Sequence, residues 1–311
     1  MIGNSIKPTV TIVVTTKNEE KNIESCLESI ANQTWQFTEI IVVDNFSTDR
    51  TTEIAKRYTN NVFTVGPERS AQRNFGLITK ATGNFGMFID ADMTLSPNLV
   101  ADCVEFSIRS NSIGLHVEEV ILGTKRLARI RRFERSFYSG TVVDGARFFS
   151  IDAFMSINGF DTNMPPGPED WDLDKRLKQL GKISMLPVEG PTDIDPRFVL
   201  YAKSRGAKIN QKFSGILHNE SEQSLARYLE KKTYYSPSMS FYSQKWPEDP
   251  DVRKQLGFFY RYFLVFIESG KWRKILRYPI LSIQMIILRL LVGINYLSVR
   301  LLRRSNKPGI Y

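Results

Sequence analysis

The chain has 311 residues, 42% of them hydrophobic, enough for one large domain or two modest ones with a packed core. Its net charge of +9 is not spread over a domain: residues 271–311 hold Lys271, Arg273, Lys274, Arg277, Arg289, Arg300, Arg303, Arg304 and Lys307 and no acid, so the remainder is balanced and a nucleic-acid partner is not expected. Its two cysteines, Cys26 and Cys103, sit in stretches with helical apolar spacing, which argues against a disulfide framework and against a thiolate metal site.

The opening MIGNSIKPTVTIVVTT has no long apolar run behind its one lysine, so no secretory signal is expected and the reading is cytoplasmic. TVTIVVTT (9–16) reads as a buried strand. EEKNIESCLESI reads as a helix, with Ile23, Leu27 and Ile30 at helical spacing and Asn18 as candidate N-cap. The alternation continues: EIIVVDN (39–45) as strand, DRTTEIAKRY as helix, NVFTVG as strand, RSAQRNFGLITKA as helix and FGMFIDAD as a fourth strand. Strands alternating with helices imply an α/β fold on a mostly parallel sheet. In such a sheet ligands bind beyond the carboxyl ends of the strands, where Thr15 to Asn18, Asp44 with Asn45, and Asp90 with Asp92 gather. Each of these, taken singly, is equally a turn or cap residue.

From 100 to 250 the pattern breaks up. A basic run, TKRLARIRRFER (124–135), is followed by a strand at GARFFSI, a helix in PEDWDLDKRLKQLG ending at Gly181, and SQKWPEDPD (243–251), which reads as a linker. His116 lies in a stretch without a clear period. Beyond 251 the chain is strongly apolar, and residues 279–299 reach the roughly 20 residues that cross a bilayer. Arg289 in mid-segment disfavours a span. With arginines at 277, 289 and 300, an in-plane amphipathic helix on anionic lipid is the first reading, ahead of a dimerisation helix and of a true span.

Asp90-Ala91-Asp92 closes an apolar strand with two carboxylates that repel unless a proton or cation joins them. Oxygen-rich, sulfur-free surroundings point to Mg or Mn. FIDADMT also fits the Asp-x-Asp-x-Thr motif of haloacid-dehalogenase-like phosphatases, with Asp90 as nucleophile and Asp92 as acid. That family places the motif on an early strand, and here it falls on the fourth.

TIVVTTKNEEKNIESCLESIANQTW, EIIVVDNFSTDRTTEIA, RSAQRNFGLITKATGNFGMFIDADM and GPEDWDLDKRLKQLG, in that order and spacing over roughly the first 220 residues, resemble a glycosyltransferase family 2 enzyme of the GT-A fold. The resemblance implies a donor-binding half over 1–100, an acceptor-binding and catalytic half over 101–245, and a basic, helical, membrane-associating region over 246–311. It implies nucleotide-side roles for Thr15, Glu19, Asp44, Asn45, Arg73, Asp90 and Glu169, and a divalent cation, Mn or Mg, on Asp92 and on His218. It makes Asp170 the base, which suits a carboxylate at a helix start facing a cleft; Asp172 and Asp174 read as favouring the positive end of that helix. Asn45 stands where the family often has a second aspartate, which leaves the base of the nucleotide, UDP or GDP, open. Trp171 reads as packing. Lys231, Lys232, Tyr234 and Tyr235 are candidates to meet a phosphate-bearing acceptor, or else form a solvated helix face. The expected activity is inverting transfer of a hexose from a nucleotide sugar to a lipid-linked acceptor at the cytoplasmic face of the membrane, with a homodimer left open. A membrane-bound partner that binds nucleotide sugars without turnover is the alternative from another class.

Overall fold

The computed structural model describes residues 7–164 and 166–305. Its ten strands are β1 (Val10–Thr16), β2 (Thr38–Asp44), β3 (Val62–Thr64), β4 (Phe85–Asp90), β5 (Met93–Leu95), β6 (Gly114–His116), β7 (Glu119–Leu122), β8 (Ala146–Ser150), β9 (Ile183–Met185) and β10 (Ile216–Asn219). Seven form one sheet in the order β3-β2-β1-β4-β8-β6-β9, and β5-β10-β7 form a second. All neighbours in the large sheet run parallel except those of β8, which is antiparallel to both β4 and β6.

The central strand shows why this sheet forms. Every residue of β1 is buried, as expected of a strand covered by helices on both faces. Val10, Ile12 and Val14 enter one core cluster, with Ile23, Cys26, Leu27 and Ile30 from the helix Ile23–Ala31; Val13 points the other way into a second, with Leu77, Phe88, Phe149 and Phe154. Both cysteines are buried and free.

Several sequence expectations need correction. Asn18 is not a helix cap: it takes a left-handed backbone conformation (φ 53°), which asparagine tolerates, and its Oδ1 accepts from Thr48 N at 2.8 Å. The helix starts further on, at Ile23. The strand read over 85–92 ends at Asp90, and the chain turns at Ala91 and Asp92 to begin β5 in the other sheet. The helix read over 69–81 splits into Arg69–Asn74 and a π-helical stretch, Phe75–Lys80. Most of 243–251 is not a linker. Lys245 ends the helix Ser236–Lys245, Trp246 Nε1 donates to Asp172 Oδ1 at 2.9 Å, and Lys175 Nζ meets Asp249 Oδ1 at 2.5 Å beside the next helix, Pro250–Leu256. Within the basic run, the helix Arg126–Arg135 turns three arginines inward: Arg131 to Glu134, Arg132 to the carbonyl of Ile121, and Arg135 to Glu119 and Asp144.

The last helix, Pro279–Ser305, inverts the usual soluble pattern. One stretch of it, Pro279–Ser298, is long and apolar enough to cross a membrane by length and composition. Arg289 does not interrupt its outer surface, as the sequence reading assumed; it turns inward, where Nη1 donates to Glu134 Oε1 and to the Tyr138 hydroxyl, each at 2.7 Å. Asn295 likewise reaches Thr233 Oγ1 at 2.6 Å. Ile280, Ile283, Ile287, Leu290, Ile294 and Leu297 face outward, exposed. The side chains at 300, 303 and 304, and Lys307 altogether, lie outside the described residues.

The helix Glu169–Lys178 is tied to the large sheet through a buried ion pair. His116 Nε2 lies 2.6 Å from Asp174 Oδ1, and Lys178 Nζ lies 2.7 Å from Asp174 Oδ2. Asp174 is therefore a structural anchor rather than a helix-end charge, as is Asp172, which holds Arg176, Lys245 and Trp246. Burial works to lower the His116 pKa, but the bonded Asp174 outweighs it and raises the imidazole above its ordinary value. A raised histidine contributes stability that is complete below about pH 6.5 and is lost as pH rises through the folded value. Thermal stability should thus fall on going from pH 6 upward, and His116→Gln should flatten that segment of the profile; an unchanged slope in the variant would place the effect elsewhere.

Candidate active site

Register assembles the site. Thr15 of β1 stands beside Asp90 of β4, and Thr16 beside Asp44 of β2, so the carboxyl ends of three parallel strands meet at one edge. The antiparallel pairing of β5 with β10 sets His218 opposite Met93, and Asn219 N donates to Asp92 O at 2.9 Å. The turn after Asp90 therefore hands the two aspartates to different sheets and different partners.

Asp90 is held by cations. Arg73 Nη2 meets its Oδ1 at 3.0 Å, and the Thr15 hydroxyl donates to the same oxygen at 3.4 Å. Burial pushes the Asp90 pKa up, but the guanidinium groups of Arg73, Arg147 and Arg69 prevail and hold it well below the usual carboxylate range. Asp92 instead faces His218, whose Nε2 lies 3.2 Å from Asp92 Oδ2 while Nδ1 lies 2.8 Å from Glu119 Oε1. Burial would lower the His218 pKa, yet the two carboxylates raise it well above normal. Glu119 is itself held low against burial by Arg135 and His218.

Arg73 is the centre of the arrangement. It is 1% exposed, sits over the Phe88 ring with its guanidinium carbon 4.2 Å from the ring centre, and spans from Asp90 to Asp170, where Nη1 meets Oδ1 at 2.9 Å. Asp170 begins the helix Glu169–Lys178, takes no other protein hydrogen bond among the described residues, and its side chain is 29% exposed. Glu169 has no such freedom: it is buried, ion-paired to Arg69, and accepts from Gly167 N.

A cleft of about 330 Å³ opens over these strand ends. Of the residues singled out from sequence, Thr15, Glu19, Asn45, Asp90, Asp92 and His218 line it, as do Lys231, Tyr234 and Tyr235. The Glu19 carboxyl is raised by burial and by nearby Asp92 and Asp49, against a hydrogen bond from Asn22. Arg73 and Asp170 stand behind this lining. Asp44 and Glu169 do not reach it: Asp44 is spent on the turn that follows, accepting from Ser47 N at 2.8 Å, and Glu169 on Arg69. Asn45 donates to Pro67 O at 2.7 Å. Trp171 packs, with Nε1 donating to Val143 O at 2.9 Å.

Sequence reading missed Arg69, Arg147 and Glu119. Arg69 stands four residues before Arg73, the helical spacing that puts both on one face. Arg147 is a lone charge within the apolar GARFFSI, and a cation on a buried strand is itself a signal. Glu119 offered none, because neither short strand beside it carries a readable period.

Among the described residues no three His, Cys, Asp or Glu side chains converge on one point as a self-sufficient metal site. Asp92 and His218 supply one oxygen donor and one nitrogen donor on the cleft wall. An aspartate oxygen and an imidazole nitrogen can hold a divalent cation that draws its further ligands from outside the protein. Such an ion competes with the proton shared by His218 Nε2 and Asp92.

Removing Arg73 leaves Asp90 and Asp170 without their shared cation. Arg73→Met should cost about 3–5 kcal/mol in a denaturant titration. Arg73→Lys should recover only part, since an ammonium cannot bridge two carboxylates as a guanidinium fork does. Wild-type stability in the Met variant would remove Arg73 from its central place.

Residues 11–156 match the profile of Glycosyl transferase family 2. The chain is similar to glycosyltransferase YibD of Escherichia coli, 33% identical over 96 residues, 29% of this chain and 28% of that protein. It is also similar to glycosyltransferase AglE of Haloferax volcanii, 35% identical over 97 residues, 28% of this chain and 32% of that one. The matched region thus spans less than a third of these curated relatives. Among solved structures, mannosyltransferase PcManGT from Pyrobaculum calidifontis, in complex with GDP-Man and Mn2+, superposes with a TM-score of 0.58 over 98% of this chain and 89% of its own, at 14% identity. S. aureus TarS 1-349 gives 0.52 over 89% and 78%, at 17% identity. Residues 11–156 are a glycosyltransferase family 2 domain.

Proposed function

We propose that the chain is an inverting glycosyltransferase that moves a sugar, a hexose in our reading, from a UDP- or GDP-sugar to a hydroxyl or phosphate of a lipid-linked acceptor. The observation that carries the proposal is the set of linked carboxylates at the strand ends: Asp90 joined through Arg73 to Asp170, with Asp92 beside His218. The nucleotide sugar lies over Thr15, Glu19 and Asn45, whose side chains line the cleft. PcManGT, crystallised with GDP-Man and Mn2+, supports a donor of this class and a divalent cation.

Transfer is a single displacement at the anomeric carbon. An acceptor oxygen forms the new bond, the bond to the diphosphate breaks, and its electron pair leaves with the diphosphate. Where the acceptor is a hydroxyl, Asp170 receives its proton on the oxygen that Arg73 leaves free. A divalent cation, when bound at Asp92 and His218, supplies positive charge to the leaving diphosphate. Arg69, Lys17 and Lys231 add fixed positive charge around the same cleft.

A membrane surface is the proposed location, on the cytoplasmic side. The last helix presents an unbroken row of exposed aliphatic side chains, and Lys271, Arg273, Lys274 and Arg277 lie just before it. No observation favours the phosphatase reading, which needs Asp90 as a nucleophile; its Oδ1 is held by Arg73 and Thr15.

Purified full-length protein with Mn should be tested against a panel of UDP- and GDP-sugars beside sugar phosphates, scoring nucleoside diphosphate separately from inorganic phosphate. Release of UDP or GDP that requires the cation is expected, with a fall of about a hundredfold or more in Asp92→Ala and in Asp170→Asn. Donor binding should survive in Asp170→Asn. Inorganic phosphate released from sugar phosphates would contradict the proposal.

A further inference from the structure

A second cavity, of about 270 Å³, lies behind the first. The two share Tyr235, and the loop between them contributes Pro166 to one and Gly167 to the other. The charged lining of the second is Arg131, Lys232, Arg261 and Arg289 against one carboxylate, Glu134. That carboxylate is already shared: Arg131 Nη1 meets it at 2.6 Å and Arg289 Nη1 at 2.7 Å, and Arg131 has a further partner in Glu220.

Two basic side chains are left over. Among the described residues Arg261 has no acceptor for its guanidinium and lies only over the faces of Tyr138 and Trp171, at 5.5 and 5.8 Å. Among the described residues Lys232 has no carboxylate within ion-pair distance, and it lies 5.4 Å from the Tyr228 ring. Buried N–H groups without acceptors remain on Arg261 Nη1 and on Arg289 Nε, and Arg289 is only 9% exposed. Unpaired charge and orphaned donors in one enclosed space are costly, and the Arg261 guanidinium together with Lys232, which an adjacent anion protonates, matches a dianion. Val292, Met239 and Tyr296 complete the wall with apolar surface, and on the same helix Ile294 and Leu297 are exposed.

We propose that this cavity seats the phosphoryl or diphosphoryl group of the acceptor, a phosphate ester of a long-chain lipid whose stem leaves along the outward face of the last helix. The inference rests on the reading of the first cleft as the donor site, and it brings the acceptor to the wall near which Asp170 stands. Burial and the neighbouring Arg131 hold the Lys232 pKa down to about 7. An anion beside it reverses that balance, so binding near pH 7.5 takes up a proton.

The test uses full-length protein in detergent micelles, without donor, and measures binding of farnesyl phosphate, farnesol and inorganic phosphate. Farnesyl phosphate should bind roughly tenfold or more tighter than either of the others, and Lys232→Met and Arg261→Gln should each weaken it by about tenfold. UDP and GDP binding should not change in these variants, which separates this site from the first cleft. Equal binding of farnesol and farnesyl phosphate, or undiminished affinity in both folded variants, would overturn the proposal. Inorganic phosphate bound as tightly as farnesyl phosphate would overturn its lipid part. If UDP and GDP fail to bind the wild type, the donor reading falls, and farnesyl phosphate alone decides the cavity.

Discussion

The guanidinium of Arg73 is the interaction on which the rest of the site depends. It lies buried on the ring of Phe88 and ties the end of a central parallel strand, at Asp90, to the first turn of the Glu169–Lys178 helix, at Asp170. Planarity makes this possible, since one group offers separate N–H donors to two carboxylates that would otherwise repel. The same side chain thereby fixes where a strand-end carboxylate, Asp90, and a helix-start carboxylate, Asp170, stand relative to each other although they are far apart in the sequence.

The two aspartates of the Asp-Ala-Asp motif solve their repulsion by parting company. The chain turns between them, so Asp90 finishes one sheet under the arginines while Asp92 opens the other beside His218. Sequence made the motif and the strand ends visible, because continuous apolar runs and helical spacing are local signals. The turn was invisible, because apolar residues follow Asp92 as well as precede Asp90 and nothing breaks the run. Glu119, the second partner of His218, was unreadable for a related reason: β6 and β7 are short strands whose partners are far away in the chain. Asp44 reads identically to Asp90 at the end of its strand, and only the fold reveals that a turn consumes it.

Charge was the most misleading part of the sequence. Arg131, Arg135 and Arg289 look like surface charge when counted along the chain, yet they face inward onto Glu119, Glu134 and Asp144. Buried pairs of this kind add little net stability against an apolar alternative, but they demand complete neutralisation. Where it is incomplete, beside Arg261 and Lys232, a surplus of donors is left inside a cavity. With Arg289 and Asn295 drawn inward, the last helix turns aliphatic side chains out.

The central claim is that the strand-end cleft holds the diphosphate of a nucleotide sugar over Asp92 and His218. Anomalous diffraction from crystals grown with Mn2+ and either UDP or GDP tests it most directly. The account predicts one manganese site coordinated by Asp92 and His218 and by diphosphate oxygens, with Arg73 still bridging Asp90 and Asp170. Manganese bound elsewhere, or a nucleotide lying away from the strand ends, would contradict it.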